Sequence, residues 1–187
     1  MREHFSYLDD GQIQEMLSLG ELTSLKAGEI FIESGTITHK AGIVISGLMR
    51  NYFISDGGEQ ITAVFASEMQ PIAPYYTLFL DRPANVTSEA VEPTLLFVFD
   101  FDIFRQRAKT DLAYARVVND VIQTLFIAAI ERIEDFTHKR PEQRYKRLLQ
   151  THPDLTDRAP LKHLASYLGI TAVSLSRIRK RVSKPKG

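Results

Sequence analysis

The sequence has no cysteine among its 187 residues. The chain can therefore form no disulfide and no cysteine-ligated zinc or iron–sulfur site, and it has no thiol nucleophile. Long hydrophobic runs are absent too, since the longest wholly apolar stretch, Leu125–Ile130, falls far short of the roughly 20 residues of a membrane span. The N-terminal residues lack the basic-then-apolar profile of a secretory signal. These absences predict a cytoplasmic protein without a membrane partner.

Net charge is also absent, because 23 basic residues balance 23 acidic ones, but the two signs are separated along the chain. Residues 1–138 carry 10 Lys/Arg against 20 Asp/Glu, whereas residues 139–187 carry 13 against 3. A 49-residue segment with an excess of ten positive charges is expected to bind a polyanion: DNA, RNA or an acidic membrane surface. A basic face that docks on the acidic part of the chain is the alternative.

Short strands separated by turns are predicted from about Ser24 to Asp100. Runs rich in Ile, Val, Phe, Tyr and Thr alternate with turn sequences, and Asp56-Gly57 between two such runs is a hairpin signal. Regularly spaced strands without long helices between them favour an antiparallel sandwich or barrel. A short helix near Asp10–Leu19 precedes them. The predicted strands are Glu29–Glu33, Ala41–Ile45, Leu48–Ile54, Gln60–Phe65 and Thr94–Phe99.

A long helix is predicted after Asp111, whose side chain can cap the first turn. Apolar residues recur there at spacings of three and four, and further apolar side chains widen the surface beyond one stripe. One face is expected to cover the strands and the other to pair with a second copy of the same helix, with burial in a single larger domain as the alternative. Pro141 ends the helix. The predicted dimer interface comprises Val118, Ile122, Leu125, Ala129 and Ile133.

Three short helices are predicted beyond Lys139, at Pro141–Gln150, Leu161–Leu168 and Thr171–Val182. Gly169 can supply the positive φ of a tight turn between the last two, which is the arrangement of a helix-turn-helix. The predicted small core of this unit comprises Leu164, Ala165, Leu168, Ile170, Leu175 and Ile178.

The third of these helices carries the predicted binding chemistry. Arginine can donate two parallel hydrogen bonds to guanine, serine and threonine can contact bases or phosphates, and further Lys and Arg can neutralise phosphates. A basic helix lying on anionic lipid is the alternative, but its short apolar face is already needed for the small core. The predicted DNA-binding residues are Thr171, Ser174, Ser176, Arg177, Arg179, Lys180, Arg181 and Lys184.

With these residues in place, the chain resembles the Crp/Fnr family of bacterial transcription regulators. The specific match is Pro160–Lys180, PLKHLASYLGITAVSLSRIRK, and moderate support comes from Ser46–Arg50, Gly58-Glu59, Arg82–Ala84 and Glu89–Glu92. The resemblance implies a fold of class α+β. Its parts would be an antiparallel, jelly-roll-like β-roll of the cyclic-nucleotide-binding type, a long dimerisation helix and a winged-helix-like helix-turn-helix with a truncated wing.

The resemblance also implies an organisation and partners. Residues 1–109 would form the sensor domain, residues 110–138 the dimerisation helix and residues 139–187 the DNA-binding domain. The implied function is that of a homodimeric transcription regulator reading a palindromic site in double-stranded DNA. An unknown small-molecule effector and RNA polymerase are the further partners to be expected.

Two departures from the family pattern limit what can be carried over. Members that bind cyclic AMP hold the ribose with a Gly-Glu pair and the phosphate with Arg-Ser/Thr-Ala, but here the first pair falls near Pro71-Ile72 and the hydroxyl position is Pro83. No cofactor is therefore predicted, and the incomplete pattern argues against cyclic nucleotide. In the recognition helix, Val173 stands where the family often has a glutamate that reads cytosine, whereas Arg177 aligns with its base-reading arginine. The effector-binding candidates are Arg82, Ala84, Tyr75 and Tyr76.

Enzyme classes find little support. A cupin-type metal site needs several histidines and a carboxylate, but His39 is the only histidine between Phe5 and Thr137. His138, His152 and His163 are predicted to be isolated at the surface. Neither a nucleophile elbow nor a Gly-rich phosphate loop occurs, so no catalytic residue and no metal site are predicted. A ligand-binding or interaction module with little DNA binding is the remaining alternative, and the basic cluster Arg177–Lys186 argues against it.

Overall fold

A computed structural model of the chain describes residues 6–182. Over that range it has eight strands, all of them in the first hundred residues, and eight helices, six of them after residue 100. The strands are β1 Gly20–Leu25, β2 Ile30–Ile32, β3 Lys40–Ser46, β4 Met49–Ile54, β5 Gln60–Ala66, β6 Pro71–Ile72, β7 Thr87–Ala90 and β8 Thr94–Asp100. The helices are α1 Asp10–Ser18, α2 Tyr75–Leu80, α3 Phe101–Arg107, α4 Leu112–His138, α5 Pro141–Thr151, α6 Leu155–Arg158, α7 Leu161–Tyr167 and α8 Ala172–Val182.

The strands form two four-stranded antiparallel sheets that pack face to face. The first sheet has the order β1-β8-β3-β6 and the second the order β2-β7-β4-β5. Because successive side chains of a strand point to opposite faces, one face of each sheet supplies the shared core. Val44 and Leu96 of the first sheet meet Met49 and Ala90 of the second there. The predicted α+β fold with an antiparallel roll is confirmed.

The hairpin predicted at Asp56-Gly57 joins β4 to β5. Ser55 donates its amide to the carbonyl of Glu59 at 2.9 Å, and Gly58 adopts a positive φ of 79° in the turn. The strands β1, β6 and β7 and the helices α2 and α6 are additional to the predicted elements.

The long helix α4 begins where the sequence predicts. The Asp111 carboxylate accepts a hydrogen bond from the Ala113 amide at 2.8 Å, which caps the first turn. Tyr114 packs with Phe104 of α3, at a ring-centroid distance of 5.3 Å, and so holds the start of α4 against the roll. After Lys139, Pro141 opens α5 at a position where its missing amide costs no hydrogen bond.

The C-terminal helices share a core with the roll. The predicted small core forms, and Leu48 and Phe65 of the roll belong to the same buried cluster. The basic segment is therefore docked on the second sheet of the roll through α7 and β5. His163, predicted to lie at the surface, is instead buried on α7.

Candidate nucleic-acid interface

The turn between α7 and α8 has the geometry of a helix-terminating Schellman motif. The Gly169 amide donates to the Ser166 carbonyl and the Ile170 amide to the Ala165 carbonyl, each at 3.0 Å. Gly169 has a φ of +66°, and a Cβ atom there would meet Phe136 of α4 at 2.7 Å. Glycine is required both by the backbone conformation and by the close approach of α4.

Helix α8 begins with a hydroxyl cap. The Ser174 amide donates to Thr171 Oγ1 at 3.2 Å, and the Thr171 hydroxyl donates to Ser174 Oγ at 3.0 Å. Leu175 and Ile178 are buried against α7, so the opposite side of the helix faces outward. Val173 and Arg177 lie on that outer side and are exposed.

The guanidinium of Arg177 has no partner among the described residues, unlike those of Arg158, Arg179 and Arg181. Within residues 6–182 it makes no hydrogen bond or ion pair, and its side chain is exposed. Lys180 is exposed on the same side of α8, three residues further on. A guanidinium held outward on a rigid helix can reach base edges in a major groove without first breaking an internal contact.

Two other predicted DNA-binding arginines have partners within the chain. Arg179 donates to the Thr156 carbonyl of α6 at 3.1 Å, and its Nε is buried without a partner in the described part of the chain. In this conformation the guanidinium of Arg179 is turned inward, away from the outer side of α8 on which Arg177 lies. Arg181 pairs with Glu142 at 3.3 Å but remains largely exposed. Ser176 is half-buried, and Lys184 lies outside the described residues.

Much of the remaining basic charge joins parts of the chain. Arg158 of α6 binds Glu68 and Glu92 of the roll, at 2.8 and 2.7 Å, and Asp154 at 3.0 Å. These hydrogen bonds raise the pKa of Arg158, and the bond from Arg158 lowers the pKa of Glu68 to about 2. Arg147 binds Asp135 of α4 at 3.0 Å. Part of the excess positive charge thus serves docking within the chain, as one of the two sequence-based alternatives predicts.

A buried polar network links the second sheet to α7. Arg50, almost completely buried, binds Glu89 at 2.7 Å and Thr62 at 3.3 Å. Thr62 in turn receives a hydrogen bond from Ser166 Oγ at 3.0 Å and donates its amide to the same atom at 3.2 Å. These bonds cross from the roll to the helix-turn-helix. Sequence reasoning did not identify Arg50, Thr62, Ser166 or Arg158, whose partners are distant in the chain.

Arg132 of α4 contacts the same region, where the second sheet meets α7. It donates to the Tyr167 carbonyl at 3.1 Å, and its guanidinium lies 4.3 Å from the Tyr167 ring centroid. Burial lowers its pKa. The end of α7, the roll and α4 therefore meet at one point, directly before the turn that leads into α8.

Helix α4 has two apolar faces. Val118 packs with Ala41 and Phe101 of its own chain, and Leu125 is half-buried. Ile122, Ala129 and Ile133 are exposed, so the structure divides the five predicted dimer-interface residues between the two faces. The exposed face, here called the free face of α4, comprises Ile122, Phe126, Ala129, Ile130 and Ile133.

By length and composition alone, α4 is long and apolar enough to cross a membrane. Both ends are bound by the rest of the chain, through Tyr114 at the start and Arg132 near the end. A helix held in this way would lose those contacts on entering a bilayer, and its free face is an exposed apolar patch of the kind that marks an interaction site.

The four effector-binding candidates do not come together in one pocket. Ala84 is buried, and its backbone bonds to Gly35 and Thr36 at 2.7 and 2.8 Å. Arg82 and Tyr76 are exposed, whereas Tyr75 packs beside Leu78 and Phe101. Apolar side chains of both sheets, among them Val44, Met49 and Leu96, pack between the sheets.

No protein-family model matches the chain, and no curated protein matches it in sequence. Solved structures do match in fold. A protein from Eubacterium rectale described as a transcriptional regulator of the Crp/Fnr family shares 20% identity over 96% of this chain and 87% of its own, with a TM-score of 0.72. CLP of Xanthomonas campestris, a c-di-GMP-responsive global regulator, shares 14% identity over 96% of both chains, with a TM-score of 0.71. The catabolite activator protein of Thermus thermophilus shares 16% over 96% of this chain and 86% of its own, with a TM-score of 0.59.

At these identities the likeness concerns the fold. The shared features are the antiparallel roll, the long helix and the C-terminal helices, in the same order. The chain therefore has the Crp/Fnr-type fold.

Proposed function

We propose that this chain is a DNA-binding transcription regulator that acts as a homodimer on a palindromic site, and that it is not an enzyme. The observation that carries the proposal is the outer side of α8, where Arg177 is exposed and unpaired within the described residues while neighbouring arginines are engaged. The fold of solved regulators supports it. The bulk of the acidic residues lies on the roll, which would be repelled by phosphates and leave α8 to approach the duplex.

In this proposal the three segments have separate tasks. Residues 1–109 form a sensor domain, residues 110–138 pair with the same helix of a second copy, and residues 139–187 bind DNA. Thr171, Ser174 and Arg177 contact the groove, while Lys180, Arg181 and Lys184 neutralise phosphates. The free face of α4 is the proposed dimer surface, since its apolar side chains have no cover within residues 6–182.

The dimer would set the spacing of the two recognition helices. Two such helices must enter major grooves about 34 Å apart, one helical turn of DNA. A signal that shifts the α4 pair changes that spacing and therefore the affinity. Arg132, which contacts both Tyr167 and the roll, provides the mechanical link between α4 and the helix-turn-helix.

Selection from randomised duplexes tests the proposal. The purified chain is expected to enrich an inverted repeat with half-site centres about 10 base pairs apart. Arg177→Ala should enrich a weaker consensus, whereas Arg105→Ala, an exposed arginine on α3, should enrich the same one. Failure of the wild-type chain to enrich any sequence would favour a ligand-binding or interaction module with little DNA binding.

A further inference from the structure

A cavity of about 400 Å³ lies outside the roll, on the face of the first sheet turned away from the other sheet. Along β8, Leu96 and Val98 point between the sheets, so Phe97 and Phe99 point to the opposite face and form the floor of this outer cavity. Ile13 of α1 and Leu78 of α2 form walls, and Val121 and Leu125 of α4 form the roof. Pro71, at the position of the family's Gly-Glu pair, and the effector candidate Tyr75 line this cavity, whereas Arg82 and Ala84 do not.

The lining of the outer cavity disfavours the binding of a charged ligand. Its lining is mostly aliphatic and aromatic and contains no Lys, Arg or His. The two carboxylates at its edge are already bound, Glu68 by Arg158 at 2.8 Å and Asp120 by the Tyr7 hydroxyl at 2.6 Å. An anion such as a cyclic nucleotide would lose hydration there and find no cation, at a large cost in free energy.

The size and enclosure of the outer cavity suit a small molecule. Ligand pockets range from about 300 to 1,000 Å³, with mostly apolar walls and a few polar groups. Four helices and a sheet of the same chain surround the space. Of the five residues of the free face of α4, Ile122 also lines the cavity, whereas Phe126, Ala129, Ile130 and Ile133 do not. Phe126 lies about 140° around the helix axis from Val121 of the cavity roof.

We propose that the outer cavity binds an uncharged, largely apolar small molecule, and that this molecule is the signal that repositions α4. The second half of this inference rests on the proposed function, since α4 carries the cavity roof on one face and the proposed dimer surface on the other. A ligand bound beneath Val121 and Leu125 contacts α4. In the proposed dimer, α4 sets the spacing between the α8 helices of the two copies. The ligand can change the affinity for DNA only by as much as its own affinity differs between the position of α4 that fits DNA and the position that does not.

Titration with the uncharged dye Nile red tests the site. The dye is expected to bind the wild-type chain once per protomer, and cyclic AMP should not displace it. Ile13→Trp and Ile43→Trp fill the cavity from two sides, and each should weaken binding at least about tenfold, equivalent to 1.4 kcal/mol. Ile54→Trp, at an exposed isoleucine on β4 of the second sheet and away from the cavity, should bind the dye as the wild type does. Thermal unfolding identifies variants that do not fold.

A monomeric variant excludes the alternative occupant. If side chains of a second copy fill the cavity, Phe126→Asp should bind the dye and the wild-type dimer should not, which would overturn the proposal. Equal binding to both supports it. Equal affinity of dye-free and dye-saturated protein for the selected duplex would refute the signalling role, whereas loss of DNA binding in both states counts only against the proposed function.

Discussion

The guanidinium of Arg158 and the carboxylate of Glu68 form two parallel hydrogen bonds, from Nη2 to Oε1 at 2.8 Å and from Nη1 to Oε2 at 3.0 Å. The two residues are 90 positions apart, and their bond joins the roll to the basic segment. Bidentate arginine–carboxylate pairs are among the stronger polar contacts in proteins. Part of the charge separation along the chain therefore holds its two halves together, beside the part that faces outward on α8.

Removal of the Arg158 side chain is expected to loosen the docking of the helix-turn-helix. Arg158→Ala should lower the free energy of unfolding by about 1–2 kcal/mol. A double-mutant cycle with Glu68→Gln should give a favourable coupling energy between the two side chains. Urea unfolding measures both. Arg105→Ala breaks an exposed pair with Asp102 and should cost less than about 0.5 kcal/mol. A coupling energy of zero would mean that the pair has no role in docking.

Gly169 should not tolerate a side chain. Gly169→Ala combines a positive φ with a clash against Phe136, so we expect a loss of more than about 1 kcal/mol in thermal or urea unfolding. Gly28 has a φ of +83° but open space around it, so Gly28→Ala should cost only the backbone strain. Equal losses for the two variants would show that the approach of α4 to the turn is unimportant.

The buried His163 predicts a dependence of stability on pH. Burial, together with the charges of Arg50 and Lys162, lowers its pKa to about 4 from an ordinary 6.5. Because the unfolded chain then binds the proton more readily, stability should fall as the pH drops from about 6.5 towards 4. Urea unfolding at pH 7 and pH 5.5 measures the slope in a window where carboxylates contribute little. His163→Gln should flatten it, and an unchanged slope would mean that His163 titrates normally.

The free face of α4 should be required for assembly. Phe126→Asp places a charge in the middle of that face and is expected to convert a dimer into monomers in sedimentation experiments, because a buried unpaired carboxylate is costly. Leu22→Asp provides a matched control, since Leu22 and Phe126 are 65% and 62% exposed. Dimers that persist in Phe126→Asp would place the interface elsewhere.

Local sequence signals predicted the parts of the fold that depend on local chemistry. Asp111 caps α4, the Asp56-Gly57 hairpin joins two strands, and Gly169 turns between α7 and α8, each through contacts within a few residues. The sequence of α2, YYTLFL, is rich in aromatic residues that favour strands, and tertiary packing of Thr77 and Leu78 makes it a helix. β7 escaped prediction because its polar Thr87 and Ser88 are buried and hydrogen-bonded.

The candidate site was predicted less completely, for two reasons. The partners of Arg158 and Ser166 lie up to 104 positions away, and no local pattern reports such pairs. The inward turn of Arg179 was within reach of the sequence, however. Two residues along a helix rotate a side chain by about 200°, so Arg177 and Arg179 could not both face the same groove.

Binding of Arg177→Ala to a selected duplex and to random DNA, over a range of salt concentrations, tests the central claim most directly. We expect a loss of about 1–3 kcal/mol on the selected duplex, a much smaller loss on random DNA and a lower ratio of specific to non-specific affinity. Lys184→Ala should weaken both alike and flatten the salt dependence, while Arg105→Ala should change neither. Equal losses for Arg177→Ala on both duplexes would contradict the account, because Arg177 would then contact phosphates and read no base.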